Sequence, residues 1–357
     1  MEILKGLKTA NLEQLVFWRD PAVDLEAVIA INSTQLGPAV AGIRMLDYAD
    51  EQAMLVDATD LAHEMTLRAA LAGCDLGGGG IVVASGPTGL VEREAYFRSL
   101  GRHLQRLGGR LYGVMEVGTD DRDLRNVKRE TDYVLALSVA HGGMASASET
   151  TADGVVTGIR AVVKHAFGAS KLENLTVLVQ GLGRLGMAVL KRLGEAKARV
   201  IVTDRNYDKI KNAQDAGANV TMVQPGDVLS TKCDILVPCA LGNIVTAANV
   251  NTARCRAIAG GASNVIPDIE TADMLHKNGV LYVPHFVIDA GELIQADCER
   301  NGWSLDLLKA QVDEIYGRTI EVLEAARDAK EAPTRTAVAL AEKRISTMGR
   351  LGYRGRG

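Results

Sequence analysis

Gly181, Gly183 and Gly186 stand at the spacing Gly-x-Gly-x-x-Gly, after an apolar run that ends at Gln180 and before a helix-like stretch from Met187 to Leu193. A second β-branched run, Arg199-Val-Ile-Val-Thr203, follows and ends at Asp204. Three glycines at that spacing arise by chance; placed between strand and helix, with an acid closing the next strand, they are a dinucleotide-binding signal. Gly181 permits the tight turn, Gly183 lets the main chain approach a diphosphate, and Gly186 lets the helix pack close to the strand. The helix N-terminus at Arg184 and Leu185 offers N–H groups to phosphate oxygens. Asp204 is placed to accept hydrogen bonds from both ribose hydroxyls and to repel a 2′-phosphate, so the predicted cofactor is NAD rather than NADP. The alternative is a Rossmann-like domain that has lost its nucleotide.

A glycine turn of this kind needs a parallel sheet to present it. After Ala152–Phe167, read as a helix, the chain alternates helical stretches with β-branched runs at 234–238, 256–259 and 280–283. That alternation predicts a doubly wound sheet with helices on both faces. The fingerprint starts at residue 181, so a complete α/β domain must precede it. In that first part, Gln14–Trp18 and Glu26–Ile31 read as strands, and Glu51–Leu71 as a helix with Met54, Ala58, Leu61, Met65 and Ala69 on one face. Cys74–Gly80 reads as a glycine loop before the strand Ile81–Ala84, and Glu92–Leu107 as a helix. Leu111–Val117 and Tyr133–Leu137 read as strands around a charged helix near 121–130. His141–Ser148 reads as a flexible interdomain hinge. Two long helices, Leu305–Lys330 and Arg335–Met348, close the chain, with Pro333 between them. The expected division is 1–140 for substrate binding and oligomerisation, 141–330 for the Rossmann domain, and 331–357 for a terminal helix returning to the first domain.

Composition narrows the function. The chain has 357 residues, 47% of them hydrophobic, and a net charge of −4, which argues against nucleic acid or an anionic membrane as the main partner. No run approaches the roughly 18 apolar residues of a membrane helix, and no secretory pattern opens the chain, so a cytoplasmic enzyme is expected. The five cysteines are scattered without a CxxC or Cys/His cluster, which predicts reduced thiols and no metal site. Cys239 lies in an apolar stretch and reads as packing rather than nucleophile.

Five segments resemble the Glu/Leu/Phe/Val amino-acid dehydrogenases, with the leucine, phenylalanine, valine and tryptophan branch nearest. They are Leu36-Gly-Pro-Ala-Val-Ala-Gly-Ile-Arg-Met45, Met65-Thr-Leu-Arg-Ala-Ala70, Leu76-Gly-Gly-Gly-Gly80, Glu116-Val-Gly-Thr119 and Pro238-Cys-Ala-Leu-Gly242. The match runs in order from Leu15 to about Met348. The resemblance implies a substrate and oligomerisation domain, a Rossmann domain and a homo-oligomer of at least two chains. It also implies oxidation of an L-amino acid to a 2-oxo acid and ammonia, with hydride passing to NAD. It assigns substrate contacts to Gly42, Met65, Arg68 and Ser263, and cofactor contacts to Thr151, Cys239, Ala240 and Asn264.

The chain departs from that family where the chemistry is done. The lysine that binds the substrate carboxylate falls on Arg68; a guanidinium binds a carboxylate, but it is not equivalent to an ammonium. The lysine that activates water falls on Gly80, which has no side chain. The proton-relaying acid falls on Glu116, the first glycine of a Gly-Gly pair on Ala41, and an asparagine on Ser263, with Asn264 beside it. In the last active-site loop, Pro284–Glu292, Asp289 and Glu292 add negative charge, and His285 has the pKa range of a general acid or serves as a local hydrogen-bonder. Three readings follow: an NAD-dependent oxidoreductase that reduces a preformed imine, an ordinary dehydrogenase with altered catalytic residues, and an inactive NAD-binding homologue. The first is favoured because the missing lysine serves hydrolysis rather than hydride transfer. Catalytic roles are expected at Glu116 and Arg68.

Overall fold

The computed structural model describes residues 3–215 and 220–350. Two compact units account for the chain. The first runs from its first described residue to Ala147 and takes in Leu293–Leu307 and the chain from Ala341 onward; the second comprises Ser148–Glu292 and Leu308–Leu340.

In the first unit a short helix α1 (Ile3–Thr9) precedes β1 (Gln14–Asp20), β2 (Leu25–Ser33), β3 (Ala39–Leu46), α2 (Glu51–Leu71), β4 (Gly77–Ala84), α3 (Leu90–Gln105), β5 (Leu111–Met115) and α4 (Asp121–Lys128). The strands form one sheet in the order β1-β2-β4-β3-β5. Strand β2 runs antiparallel to both β1 and β4, whereas β3 is parallel to β4 and β5. The two-residue period of β2 feeds two cores. Leu25, Ala27, Ile29 and Ile31 pack with Tyr96, Phe97, Leu100 and Leu104 of α3, while Val28 and Ala30 pack with Met54, Ala58 and Ala62 of α2. Helix α2 is capped by Asp50, whose carboxylate accepts from Ala53 N at 2.8 Å. Its apolar face is buried on this unit's own sheet and so is not a face left for a partner subunit.

The second unit carries α5 (Ala147–Phe167), β6 (Thr176–Gln180), α6 (Arg184–Glu195), β7 (Arg199–Thr203), α7 (Tyr207–Asp215), β8 (Val220–Met222), β9 (Ile235–Pro238), β10 (Ala257–Ala259), α8 (Ile269–Lys277), β11 (Leu281–Val283) and α9 (His285–Ile288). Next come α10 (Gly291–Asn301), α11 (Leu305–Asp313), α12 (Ile315–Ala329) and α13 (Pro333–Gly349), divided between the units as stated. Its six strands lie in the order β11-β10-β9-β6-β7-β8, with every pair parallel. This is the doubly wound order, with its switch point between β6 and β9.

Several local expectations are corrected. The four glycines do not form a loop: β4 begins at Gly77 because Gly77–Gly80 complete the ladder to β3. Tyr133–Leu137 contributes only a bridge from Val134 to Gly113. Within the segment expected to flex, Met144 N donates to Glu299 and His141 bonds Asp121; Ala136 N, just before it, also donates to Glu299. Those bonds to Glu299 also explain why Leu293–Leu307, placed by sequence in the Rossmann domain, belongs with the first unit. His285 opens helix α9, and Pro284–Glu292, expected as a loop, is largely helical. The helix expected from Leu305 to Lys330 is interrupted at Glu314. Residues 351–357 of the expected terminal segment lie outside the described residues.

Candidate functional site

A nucleotide site is built at the switch point of the second unit. Gly181 adopts φ +93°, and a Cβ there would lie 2.5 Å from the Cβ of Ala240, so the turn is pressed against the segment that follows β9. A Cβ on Gly186 would lie 1.9 Å from the carbonyl oxygen of Gly181; α6 therefore approaches the turn as closely as glycine allows. Gly183 faces open space, with no atom within 4 Å of its Cβ position, and α6 starts there without a side-chain cap. Asp204 braces the turn: Leu182 N donates to Oδ2 at 2.7 Å and Asn206 N to Oδ1 at 2.8 Å. Lys209 Nζ stands 3.7 Å from the same carboxylate. At the ends of β6 and β7, Gln180 Oε1 and Thr203 Oγ1 are buried with no hydrogen-bond partner among the described residues. An open glycine main chain, a helix N-terminus without a side-chain cap, an acid at the end of β7 and two unsatisfied oxygens fit a bound dinucleotide.

Around that turn the structure gathers several residues expected from sequence. Cys239 N donates to Gln180 O at 2.7 Å, and desolvation pushes the Cys239 thiol up to about 12, so it stays protonated. Asn264 Oδ1 accepts from Gly242 N at 3.0 Å, fixing the segment after β9. A Cβ on Gly261 would meet the Leu185 side chain at 2.6 Å and Asp289 Cβ at 3.7 Å, which brings Leu185 and Asp289 to one place. Glu292 N donates to Thr151 Oγ1 at 3.1 Å, and a Cβ on Gly291 would lie 2.2 Å from Thr150 O; the start of α10 thus lies directly on α5. Ser263, next to Asn264, bends the chain so that Val265 N reaches its carbonyl at 2.9 Å. His285 is buried and packs edge-on against Phe286.

The first unit holds a cluster of carboxylates around a buried guanidinium. Glu116 follows β5 and lies across β3: a Cβ on Gly42 would sit 3.0 Å from its Cβ and Cγ and 3.3 Å from Oε2. Its Oε1 accepts from Val117 N at 3.1 Å and from Arg44 Nη2 at 3.5 Å. Arg44 also donates to Asp57 Oδ1 at 2.5 Å, and Tyr48 Oη donates to Asp57 Oδ2 at 2.5 Å. Burial alone would lower the proton affinity of Arg44, but Glu116, Asp57 and Glu64 hold it above its ordinary value. Burial and Asp57 raise that of Tyr48. On α2, Arg68 Nη1 reaches Met65 Sδ at 3.3 Å, which joins two residues expected to meet substrate.

Gly80 faces α2. A Cβ there would lie 2.3 Å from Ala58 O, and one on Gly78 would lie 2.1 Å from Thr66 N. The helix backbone occupies the space into which a side chain at residue 80 would project.

Arg44, Tyr48 and Asp57 are absent from the sequence-derived site. The available signal was Arg44 itself, a charge inside the apolar run Ala39–Met45, since a buried charge requires a partner.

Comparison with known proteins identifies relatives of the whole chain. Profiles of the Glu/Leu/Phe/Val dehydrogenase dimerisation domain and of glutamate/leucine/phenylalanine/valine dehydrogenase match residues 14–133 and 201–348. A profile of the NAD-binding domain of D-isomer specific 2-hydroxyacid dehydrogenases matches residues 135–265, the region of the glycine turn. Leucine dehydrogenase of Bacillus subtilis (strain 168) is 38% identical over 351 residues, covering 98% of this chain and 96% of that protein. Phenylalanine dehydrogenase of Lysinibacillus sphaericus is 34% identical over 323 residues, covering 89% and 84%. The crystal structure of L-tryptophan dehydrogenase from Nostoc punctiforme superposes with a TM-score of 0.79 at 31% identity, covering 97% of this chain and 99% of that one.

Proposed function

The chain belongs to the Glu/Leu/Phe/Val dehydrogenase family of NAD-dependent oxidoreductases that act on CH–NH2 groups, and on that premise we propose that it works on the C–N bond of an amino- or imino-acid substrate with imine reduction favoured over oxidative deamination. The observation that carries this reading is Gly80. The resemblance assigns the water-activating lysine to that position, where there is no side chain and Ala58 O lies 2.3 Å from the Cβ position. Oxidative deamination needs water activated for attack on the imine, a step for which general-base catalysis is worth about 10²–10⁴-fold. Reduction of a preformed imine needs a hydride on carbon, a proton on nitrogen and a fixed substrate.

The glycine turn and Asp204 would hold the dinucleotide, which would supply the hydride. Arg68 holds the substrate carboxylate. Glu116 supplies the proton through Oε2, since its Oε1 is engaged by Val117 N and Arg44. Asp289 and Glu292 favour a cationic iminium or a basic substituent over a neutral one. The relatives' names point to leucine, phenylalanine and tryptophan, so an α-imino acid or a cyclic imine bearing a carboxylate is the first substrate class to test. The protein acts as a homo-oligomer, a reading supported by the match of residues 14–133 to a dimerisation domain.

The test sets NADH with preformed imino acids and cyclic imines against NAD with Leu, Val, Phe and Trp. Faster turnover of an imine is expected. Oxidation of any of these amino acids at the rate of its imine counterpart overturns the preference, and no turnover in either direction points to an inactive NAD-binding homologue.

A further inference from the structure

We propose that Arg44 is a positioning residue for Glu116, fixing one carboxylate oxygen and leaving the other to transfer a proton, with Asp57 as the competing anion that limits its grip; this rests on the reading of Glu116 as the proton donor. Arg44 projects from β3, the strand flanked by β4 and β5, and is 7% exposed. A guanidinium so buried must be paired. Its two partners are unequal: Asp57 at 2.5 Å and Glu116 at 3.5 Å. Asp57 is itself anchored by Tyr48, so the near end of the chain is fixed while the far end is a long, weak bond. Arg44 Nε is buried with no hydrogen-bond partner, so the fork is not saturated.

Glu116 is held asymmetrically. Oε1 takes the guanidinium and the N–H of Val117, whereas no hydrogen bond from a described residue reaches Oε2. Gly42 lets this carboxylate lie down on β3, because a Cβ there would stand 3.3 Å from Oε2. One oxygen is clamped and the other is left to transfer a proton. Arg44 from β3 faces Asp57 and Glu64 of α2 and Glu116 beyond β5, with the Tyr48 hydroxyl beside them. Asp60, on the same helix, feels Glu64, Asp57 and His63. Arg44 is thus bonded to Asp57 and Glu116 and lies in the field of Glu64. Removing Arg44 takes away the cation that holds Glu116, whereas neutralising Asp57 removes a like charge and releases Arg44.

The experiment titrates the Glu116 carboxylate by difference infrared spectroscopy, with Glu116→Gln subtracted, in the intact protein and in Arg44→Gln, Arg44→Lys and Asp57→Asn. The pH dependence of kcat for imine reduction is measured in parallel. An opposite charge at this range moves a carboxylate midpoint by about one pH unit or more. Arg44→Gln is expected to raise the midpoint by about that much, Asp57→Asn to lower it, and Arg44→Lys to stay near the intact protein. The alkaline limb of kcat should follow in the same directions, with KM little changed. Asp57→Asn retains the side-chain shape and Tyr48's acceptor, so it decides the matter even if Arg44→Gln does not fold. A midpoint that stays put, or moves the same way in both variants, overturns the assignment. A midpoint that moves as expected while Glu116→Gln leaves kcat unchanged instead defeats the reading of Glu116 as proton donor, and with it any positioning role in catalysis.

Discussion

The carbonyl oxygen of Ala58 lies 2.3 Å from the point that a Cβ on Gly80 would occupy, so helix α2 sits in the space of the missing side chain. A glycine here is a packing requirement. Ala58, Ala62 and Thr66, spaced four apart on α2, meet Gly80 and Gly78 of β4, and small residues on both sides bring the two backbones together.

Gly80→Ala should therefore destabilise the fold by about 1–3 kcal/mol, the usual range for overpacking, read as a lower denaturant midpoint. Gly183→Ala, whose Cβ meets nothing within 4 Å, is the control expected to leave the midpoint unchanged. Gly80→Lys with Arg68→Lys should give no gain in deamination. A stable double variant with raised deaminase activity would show that α2 yields to the side chain.

Arg68→Ala and Glu116→Gln should separate kinetically. Losing a charge-assisted bond to the substrate carboxylate, worth about 1.5–3 kcal/mol, raises KM by roughly 10- to 150-fold. Losing the proton donor lowers kcat by about 10²–10⁴-fold with little effect on binding. Calorimetry should find NADH affinity intact in both variants. Equal effects on KM alone would refute the division of roles.

Asp204→Ala should weaken NAD binding and narrow the preference over NADP, because a repelling charge is removed while Lys209, 3.7 Å from that carboxylate, remains to meet a 2′-phosphate. Asp204→Asn keeps an acceptor for Leu182 N and should retain more of the turn. Unchanged selectivity in both variants would mean that specificity is set elsewhere.

Asp60 offers a stability test. Burial, Glu64 and Asp57 raise its pKa, so the folded protein holds this proton more tightly than the unfolded chain does. The stability it contributes is present below the unfolded pKa and is lost as pH rises through the folded value. Asp60→Asn should raise the melting temperature near neutral pH and do little in acid. A larger gain in acid would reverse the sign assigned here.

The glycine turn, the alternation of the second unit and the apolar face of α2 were legible because each is written in neighbouring residues. A turn, a helix face and a strand have periods of a few positions, and the same local grammar gave NAD and the dinucleotide fold. Even so, β4 was misread at Gly77–Gly80, since glycine carries no strand propensity and only the ladder to β3 extends the strand. Tyr133–Leu137 has the composition of a strand but found only one bridge to β5.

What the sequence determined was therefore the cofactor turn, the alternation of the second unit and the helical face of α2. Tertiary structure alone decided that Arg44 is shared between residues 13 and 72 positions away, that Glu299 draws Leu293–Leu307 into the first unit through Ala136 and Met144, and that α2 fills the space at Gly80. Each depends on contacts between segments far apart in the chain. No periodicity encodes such pairings; they are selected when the sheet assembles and each buried charge or void must find whatever the fold brings beside it.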